Sequence, residues 1–179
     1  MKLFRIIPVA ALVISALAAT CIAQKPASDA AQATKKLGAF LGKWTTSGTF
    51  ANGEKAASEL ECRWSAQGYF LVCEQHVKLS KGEQHQLTVY SYNSGDGTYQ
   101  YATFSDPGAK PSSGTVEIKG NVWTYNSSFE SHGGKTTLIR NTNEFTDAGK
   151  AEVFKVVTSE DGGKTWQPLL DGSAHKIAD

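Results

Sequence analysis

Tyr90-Ser91-Tyr92-Asn93-Ser94-Gly95-Asp96-Gly97-Thr98-Tyr99-Gln100-Tyr101 decides how the chain is read. Two tyrosines spaced by one residue stand on either side of Gly95-Asp96-Gly97. That spacing puts Tyr90 with Tyr92, and Tyr99 with Tyr101, on one face of a strand each. The glycines between them supply the positive φ that a tight hairpin requires. The segment therefore reads as an antiparallel hairpin with an aromatic face.

The same texture runs outward in both directions. Segments rich in Thr, Val, Tyr, Phe and Trp are cut by Asn52-Gly53, Gln67-Gly68 and Lys81-Gly82 upstream. Downstream the punctuation is Asp106-Pro107-Gly108, Gly120-Asn121, Gly133-Gly134, Asp147-Ala148-Gly149 and Gly162-Gly163. The intervals are mostly one strand long, and about ten strands joined by short connections leave no room for crossover helices. The expected fold is all-β, an antiparallel up-and-down barrel, because closure removes the exposed edges of a meander. A sandwich is the rival and needs a long Greek-key connection; Asp106 to Ser113 is the longest available. Ahead of the strands, Ala33, Leu37, Phe40 and Leu41 recur at helical spacing. With Asp29 as N-cap and Gly42 as stop, they predict a short helix packed on the sheet.

The N-terminus is read separately. Lys2 and Arg5 precede an apolar run from Ile6 to Ala19, which exits through Cys21-Ile22-Ala23-Gln24. A basic start, a short apolar core and small residues at the exit make a secretory signal peptide cleaved after Ala23. The run falls short of the roughly 20 residues a bilayer span needs, so no stable membrane insertion is expected. Cys21 as a lipidated anchor is the rival reading, which the bulk of Thr20 and the place of Ala18 disfavour. The chain thus divides into residues 1–23 as signal peptide, 24–36 as flexible lead and helix start, and 37–179 as the barrel domain. The expected location is periplasmic or secreted.

About 155 of the 179 residues remain after cleavage, enough to bury the core of a single domain. Without Lys2 and Arg5, 16 of the 18 basic residues stand against 17 acidic ones. That balance gives no electrostatic reason to expect nucleic acid as a partner. Cys62 and Cys73 survive processing, and in an oxidising compartment an even pair reads first as a disulfide. Gln67-Gly68 lies midway between them, with Leu60-Glu61-Cys62-Arg63-Trp64 and Phe70-Leu71-Val72-Cys73-Glu74 as strands on either side. A hairpin centred there sets the two cysteines opposite one another, at a non-hydrogen-bonded pair if the loop has four residues.

Gly42-Lys43-Trp44, directly after the helix and opening the first strand, resembles the Gly-x-Trp of the lipocalin/calycin superfamily. Leu37-Gly38-Ala39-Phe40-Leu41-Gly42-Lys43-Trp44 is similar to the start of exported bacterial lipocalin-like domains of unknown function. The resemblance implies a ligand-holding barrel whose closed end is plugged by Trp44. The later T-D-Y-x-x-Y lipocalin motif has no match here, which points to an outlying relation. Ser159-Glu160-Asp161-Gly162-Gly163-Lys164-Thr165-Trp166 fits the S-x-D-x-G-x-T-W Asp-box pattern of sialidase-type propellers. One box in a chain this short fixes a hairpin, with Asp161 accepting turn N–H groups and Trp166 packing beneath. It does not make a sialidase.

No G-x-S-x-G, H-E-x-x-H, G-x-x-x-x-G-K-S/T or C-x-x-C is present, so no catalytic residue is assigned and an enzyme is not the expected reading. His76 and His85 flank Lys81-Gly82 and would make half a zinc site at most; no metal and no cofactor is expected. His175 lies late in the chain, as does the haem ligand of nitrobindin-type barrels, but the residues around it do not match that pattern. Arg63, Glu74 and Arg140 sit inside strands and read as solvent-facing. Tyr90, Tyr92, Tyr99, Tyr101, Trp123 and Tyr125 are the expected cavity wall, with Phe104 and Phe129 in the same aromatic series. A closed barrel of about ten strands exceeds what side chains alone can fill, so a small, largely apolar ligand is the expected partner. A ligandless interaction domain comes second, and an enzyme using the same cavity last. Oligomeric state is not encoded legibly.

Overall fold

The computed structural model describes residues 27–106, 110–130 and 134–179. The predicted signal peptide and its cleavage site lie outside the described residues. Helix α1 (Ala27–Lys36) leads into a 3-10 turn (Leu37–Phe40). Ten strands follow: β1 (Gly42–Phe50), β2 (Lys55–Trp64), β3 (Leu71–Leu79), β4 (Gly82–Asn93) and β5 (Thr98–Ser105), then β6 (Ser112–Lys119), β7 (Val122–Glu130), β8 (Thr136–Thr146), β9 (Ala151–Ser159) and β10 (Gln167–Ala178). Each strand pairs antiparallel with its sequence neighbours, and β10 closes on β1 with Thr46 opposite Ala174 and Gly48 opposite Gly172. The result is a closed ten-stranded up-and-down barrel. The long connection after Asp106 joins adjacent strands β5 and β6, so no Greek-key crossing occurs.

Alternation sorts side chains in and out of this barrel. On β2, Ala56, Ser58, Leu60 and Cys62 are the more buried set, while Lys55, Glu59, Glu61 and Arg63 are exposed. A strand with one wet and one enclosed face has this period of two. Cys62 and Cys73 are directly opposite in the β2–β3 pair and form a disulfide, with Cα atoms 4.0 Å apart. The hairpin is closed by Ser65 N–H donating to Phe70 O at 2.8 Å, with a tight turn inside it from Gly68 N–H to Ser65 O, also 2.8 Å. Close Cα approach is the mark of a non-hydrogen-bonded antiparallel pair.

One end of the barrel is plugged. Leu37, Phe40 and Trp44 are buried, and Trp44 Nε1 donates to Phe40 O at 2.9 Å. Phe40 meets Phe145 edge-on at 4.9 Å and Trp123 edge-on at 5.3 Å, giving the herringbone contacts that aromatic quadrupoles favour. The helix departs from expectation at its start. It starts at Ala27, so Asp29 lies within the first turn rather than at the cap, where its carboxylate still complements the N-terminal dipole. Past Lys36 it tightens into the 3-10 turn, with Leu41 N–H donating to Gly38 O at 3.1 Å, and ends just before the expected stop at Gly42; that tightening places Phe40 over the end of the barrel.

The β9–β10 turn lies at the opposite rim. Asp161 Oδ1 accepts from Lys164 N–H and Thr165 N–H at 2.9 Å each and from Ser159 Oγ at 2.8 Å. Thr165 Oγ1 donates to Oδ2 at 2.6 Å, and these donors together hold the carboxyl well below the usual carboxylate range. Trp166 Nε1 donates to Gly163 O at 3.0 Å and the Arg140 guanidinium stacks 4.0 Å over its ring.

Candidate functional site

Above the Phe40 plug the barrel encloses a cavity of about 390 Å³ that runs to the rim formed by Phe50, Leu79, Gln84 and Leu170. Its volume falls in the range typical of small-molecule sites. Three tyrosines stand around the floor, each in contact with the other two: Tyr90 and Tyr101 at 6.2 Å between centroids, Tyr90 and Tyr125 at 6.2 Å, Tyr101 and Tyr125 at 5.6 Å. Gly114, opposite Tyr101 in the β5–β6 pair, makes room for this cluster. A Cβ there would come within 3.0 Å of the Tyr101 ring and 2.1 Å of Asn126 O. Gly172 does the same for Phe154, whose ring would lie 2.3 Å from an added Cβ.

Of the six residues expected to wall the cavity, Tyr90, Tyr101 and Tyr125 line it. Tyr92 and Tyr99 form a pair at 5.0 Å at the plugged end of β4 and β5, and Tyr99 Oη donates to Ala33 O of α1 at 3.1 Å. Trp123 is buried in the plug against Phe40 and Phe145. Phe104 and Phe129, at the ends of the same aromatic series, are exposed. Trp44, Cys62, Cys73, Asp161 and Trp166 occupy the plug, the wall hairpin and the rim turn already described.

The middle of the wall is hydrophilic. Gln75 Nε2 donates to Ser58 Oγ at 2.7 Å, Ser58 Oγ and Thr46 Oγ1 are 2.5 Å apart, and Thr88 and Thr103 share a hydrogen bond of 2.9 Å. Lower down, Asn143 and Glu152 are both buried, and Asn143 Nδ2 donates to Glu152 Oε2 at 3.0 Å. Burial pushes the Glu152 carboxyl up to about 7 against the opposing effect of that amide. Burial likewise raises Tyr125 and Tyr90 above the ordinary tyrosine range. The Tyr90 and Tyr125 hydroxyls interact electrostatically, yet Tyr125 Oη closes no hydrogen bond of normal geometry. Asn141 Oδ1 and Asn143 Oδ1 are also buried without a protein donor.

Glu152, Asn141 and Asn143 were not among the residues singled out from the sequence, though a signal existed. Glu152 shares its strand face with Phe154 and Val156, and Asn141 and Asn143 share theirs with Phe145. A polar residue in step with apolar ones at spacing two is an inward polar group.

Outside the barrel the expected readings are placed as follows. Arg63 and Glu74 form an exposed ion pair at 2.5 Å, worth little in water. His76 and His85 face each other across β3 and β4 with rings stacked at 4.3 Å, and His76 Nε2 lies 2.8 Å from Glu83 Oε2. Among the described residues no group of three or more His, Cys, Asp or Glu is arranged to hold a metal ion. A shallow outer groove of about 680 Å³ passes these histidines between Glu59, Phe104 and Ile177. It is larger than the lumen but open, so its polar groups stay hydrated and it offers a ligand little desolvation.

No protein-family model matches the chain, and no curated protein sequence matches it significantly. Solved structures with a similar course of the chain include designed barrels. A de novo designed fluorescence-activating β-barrel is 13% identical, covering 83% of this chain and 98% of that one at a TM-score of 0.42. The redesigned barrel mFAP1 bound to DFHBI is 14% identical, covering 82% and 98% at a TM-score of 0.41. EF1p2_mFAP2b bound to DFHBI is 10% identical, covering 80% and 98% at 0.42. These scores are low, and the assignment of the fold rests on the strand pairing above.

Proposed function

We propose that this chain is an exported barrel that binds a small molecule in its lumen, and that it is an outlying member of the lipocalin-like group its Gly42-Lys43-Trp44 resembles. The observation that carries the binding reading is the cavity of about 390 Å³ with buried polar atoms in its wall that no protein group satisfies, Asn141 Oδ1 and Asn143 Oδ1. Buried polar atoms without partners cost free energy, and a ligand that satisfies them recovers it. A domain selected only for stability would fill such a space with apolar side chains. The ligand on this reading has an apolar body against the tyrosine triad and polar groups toward β8 and β9. Export is supported by the Lys2-to-Gln24 segment and is consistent with the Cys62–Cys73 disulfide.

The test is titration with a neutral phenylnaphthylamine dye, in parallel on the wild-type protein and Val77→Trp. Val77 lines the upper lumen and takes part in no side-chain hydrogen bond, so an indole there occupies the cavity at little cost elsewhere. The expected result is saturable single-site binding that Val77→Trp abolishes while the melting temperature stays close to wild type. Absence of dye binding, or binding indifferent to Val77→Trp, refutes the lumen as the site. Binding unchanged by Val77→Trp would move attention to the outer surface, where Leu87, Phe104 and Ile177 are exposed beside the groove.

A further inference from the structure

The floor of the lumen is short of hydrogen-bond donors. Glu152 brings two acceptor oxygens and receives one Nδ2 donor from Asn143. Asn141 Oδ1 and Asn143 Oδ1 are two more buried acceptors with no donor. The tyrosine hydroxyls can each donate once: Tyr90 and Tyr101 come from β4 and β5, and Tyr125 on β7 stands directly opposite Asn141. A carboxylate enclosed to this degree is normally paired with a cation. Among the described residues no lysine, arginine or histidine is paired with Glu152. On β10, the strand on one side of it, Ala174 is directly opposite, His175 points to solvent, and Lys176 is paired with Asp179 at 2.5 Å. On β8, the strand on the other side, the neighbours are Phe145 and Asn143. The Tyr90 and Tyr125 hydroxyls interact electrostatically with Glu152, and the Tyr101 ring packs against both of theirs.

We propose that this floor recognises a small organic cation, an alkyl- or arylalkylamine, whose ammonium donates to Glu152 and to the Asn141 and Asn143 carbonyl oxygens while Tyr90, Tyr101 and Tyr125 receive its apolar body. This rests on the lumen-binding reading above and names its ligand class. Three N–H bonds of a primary ammonium match the three acceptor groups, and electron-rich ring faces within reach of the charge add cation–π attraction. A carboxylic-acid ligand would meet Glu152 with like charge, and a neutral ether or ketone would leave the amide oxygens unserved.

The proposal has a pH signature. An alkylamine stays protonated between pH 6 and pH 8. Glu152, pushed up to about 7 by burial, must release its own proton before it can pair with the amine. Competition between proton and amine for one carboxylate weakens amine binding about tenfold at pH 6 relative to pH 8.

Calorimetric titration with phenylbutylamine, phenylbutanol and phenylbutyrate, which share one apolar body, tests this directly. At pH 8 the amine should bind at least tenfold more tightly than the alcohol or the acid, and about tenfold less tightly at pH 6. Glu152→Gln should remove the preference for amine and its pH dependence. Equal affinity for the three compounds, or amine binding unaltered by Glu152→Gln, overturns the cation site and leaves dye binding, hence the lumen reading, intact. Failure of the dye to bind wild type overturns the lumen reading instead. Should Glu152→Gln not fold, the wild-type contrast between pH 6 and pH 8 decides alone: an amine affinity flat across that range refutes the proposal.

Discussion

Glu152→Gln isolates the free energy that the buried carboxylate costs the fold. Glu152 is 5% exposed, and its carboxyl is raised from 4.5 to about 7 by burial. Because the folded-state value lies above the unfolded one, the native protein holds its proton more tightly. The stabilisation is complete below about pH 4.5, declines as pH rises and is lost above about pH 7, where the charge is buried without a cation. The whole interval corresponds to about 3 kcal/mol. Glutamine keeps the volume and an oxygen to accept Asn143 Nδ2, but carries no charge at any pH. Urea denaturation of both proteins at pH 4.5, 6 and 8 measures the difference, with other titrating groups cancelling between them. The variant should match wild type at pH 4.5 and exceed it by about 3 kcal/mol at pH 8. A variant no more stable than wild type at pH 8, or a difference that does not change with pH, would show that Glu152 is solvated or already paired. Both the enclosed floor and the argument for a cationic ligand would then fail.

Other consequences are simpler to check. Replacing Cys62 and Cys73 by serine should lower stability by about 2–3 kcal/mol, since the bridge closes a short loop, and in the native unreduced protein neither cysteine should react with a thiol reagent. Asp161→Ala removes the acceptor of two backbone N–H groups and two hydroxyls at the rim; it should lower the melting temperature at neutral pH while dye binding persists. Since the Asp161 carboxyl is held below its ordinary range, wild type should lose this advantage in acid as the carboxyl protonates, bringing the two melting temperatures together. Intact-mass analysis of the exported protein should give a chain beginning at Gln24; retention of residues 1–23 or a lipid mass on Cys21 would refute the cleavage reading.

The sequence by itself determined the strands, their antiparallel order, the opposed cysteines and the rim turn at Asp161. Each of these depends on residues close together in the chain, so period-two alternation and turn glycines suffice to specify them. Alternation also put Tyr90 and Tyr92 on one face, but it could not divide that face between cavity and plug. That division depends on how far up the barrel Phe40 reaches, which the 3-10 turn after α1 decides. The floor itself joins Tyr90, Tyr101 and Tyr125 with Asn141, Asn143 and Glu152, residues from five strands that only closure of β10 on β1 brings around one space. In the linear sequence Glu152 is one more acidic residue near a lysine. Inside the closed wall it lies where water's dielectric no longer supports its charge, and that exclusion turns an ordinary glutamate into the feature most demanding of a partner.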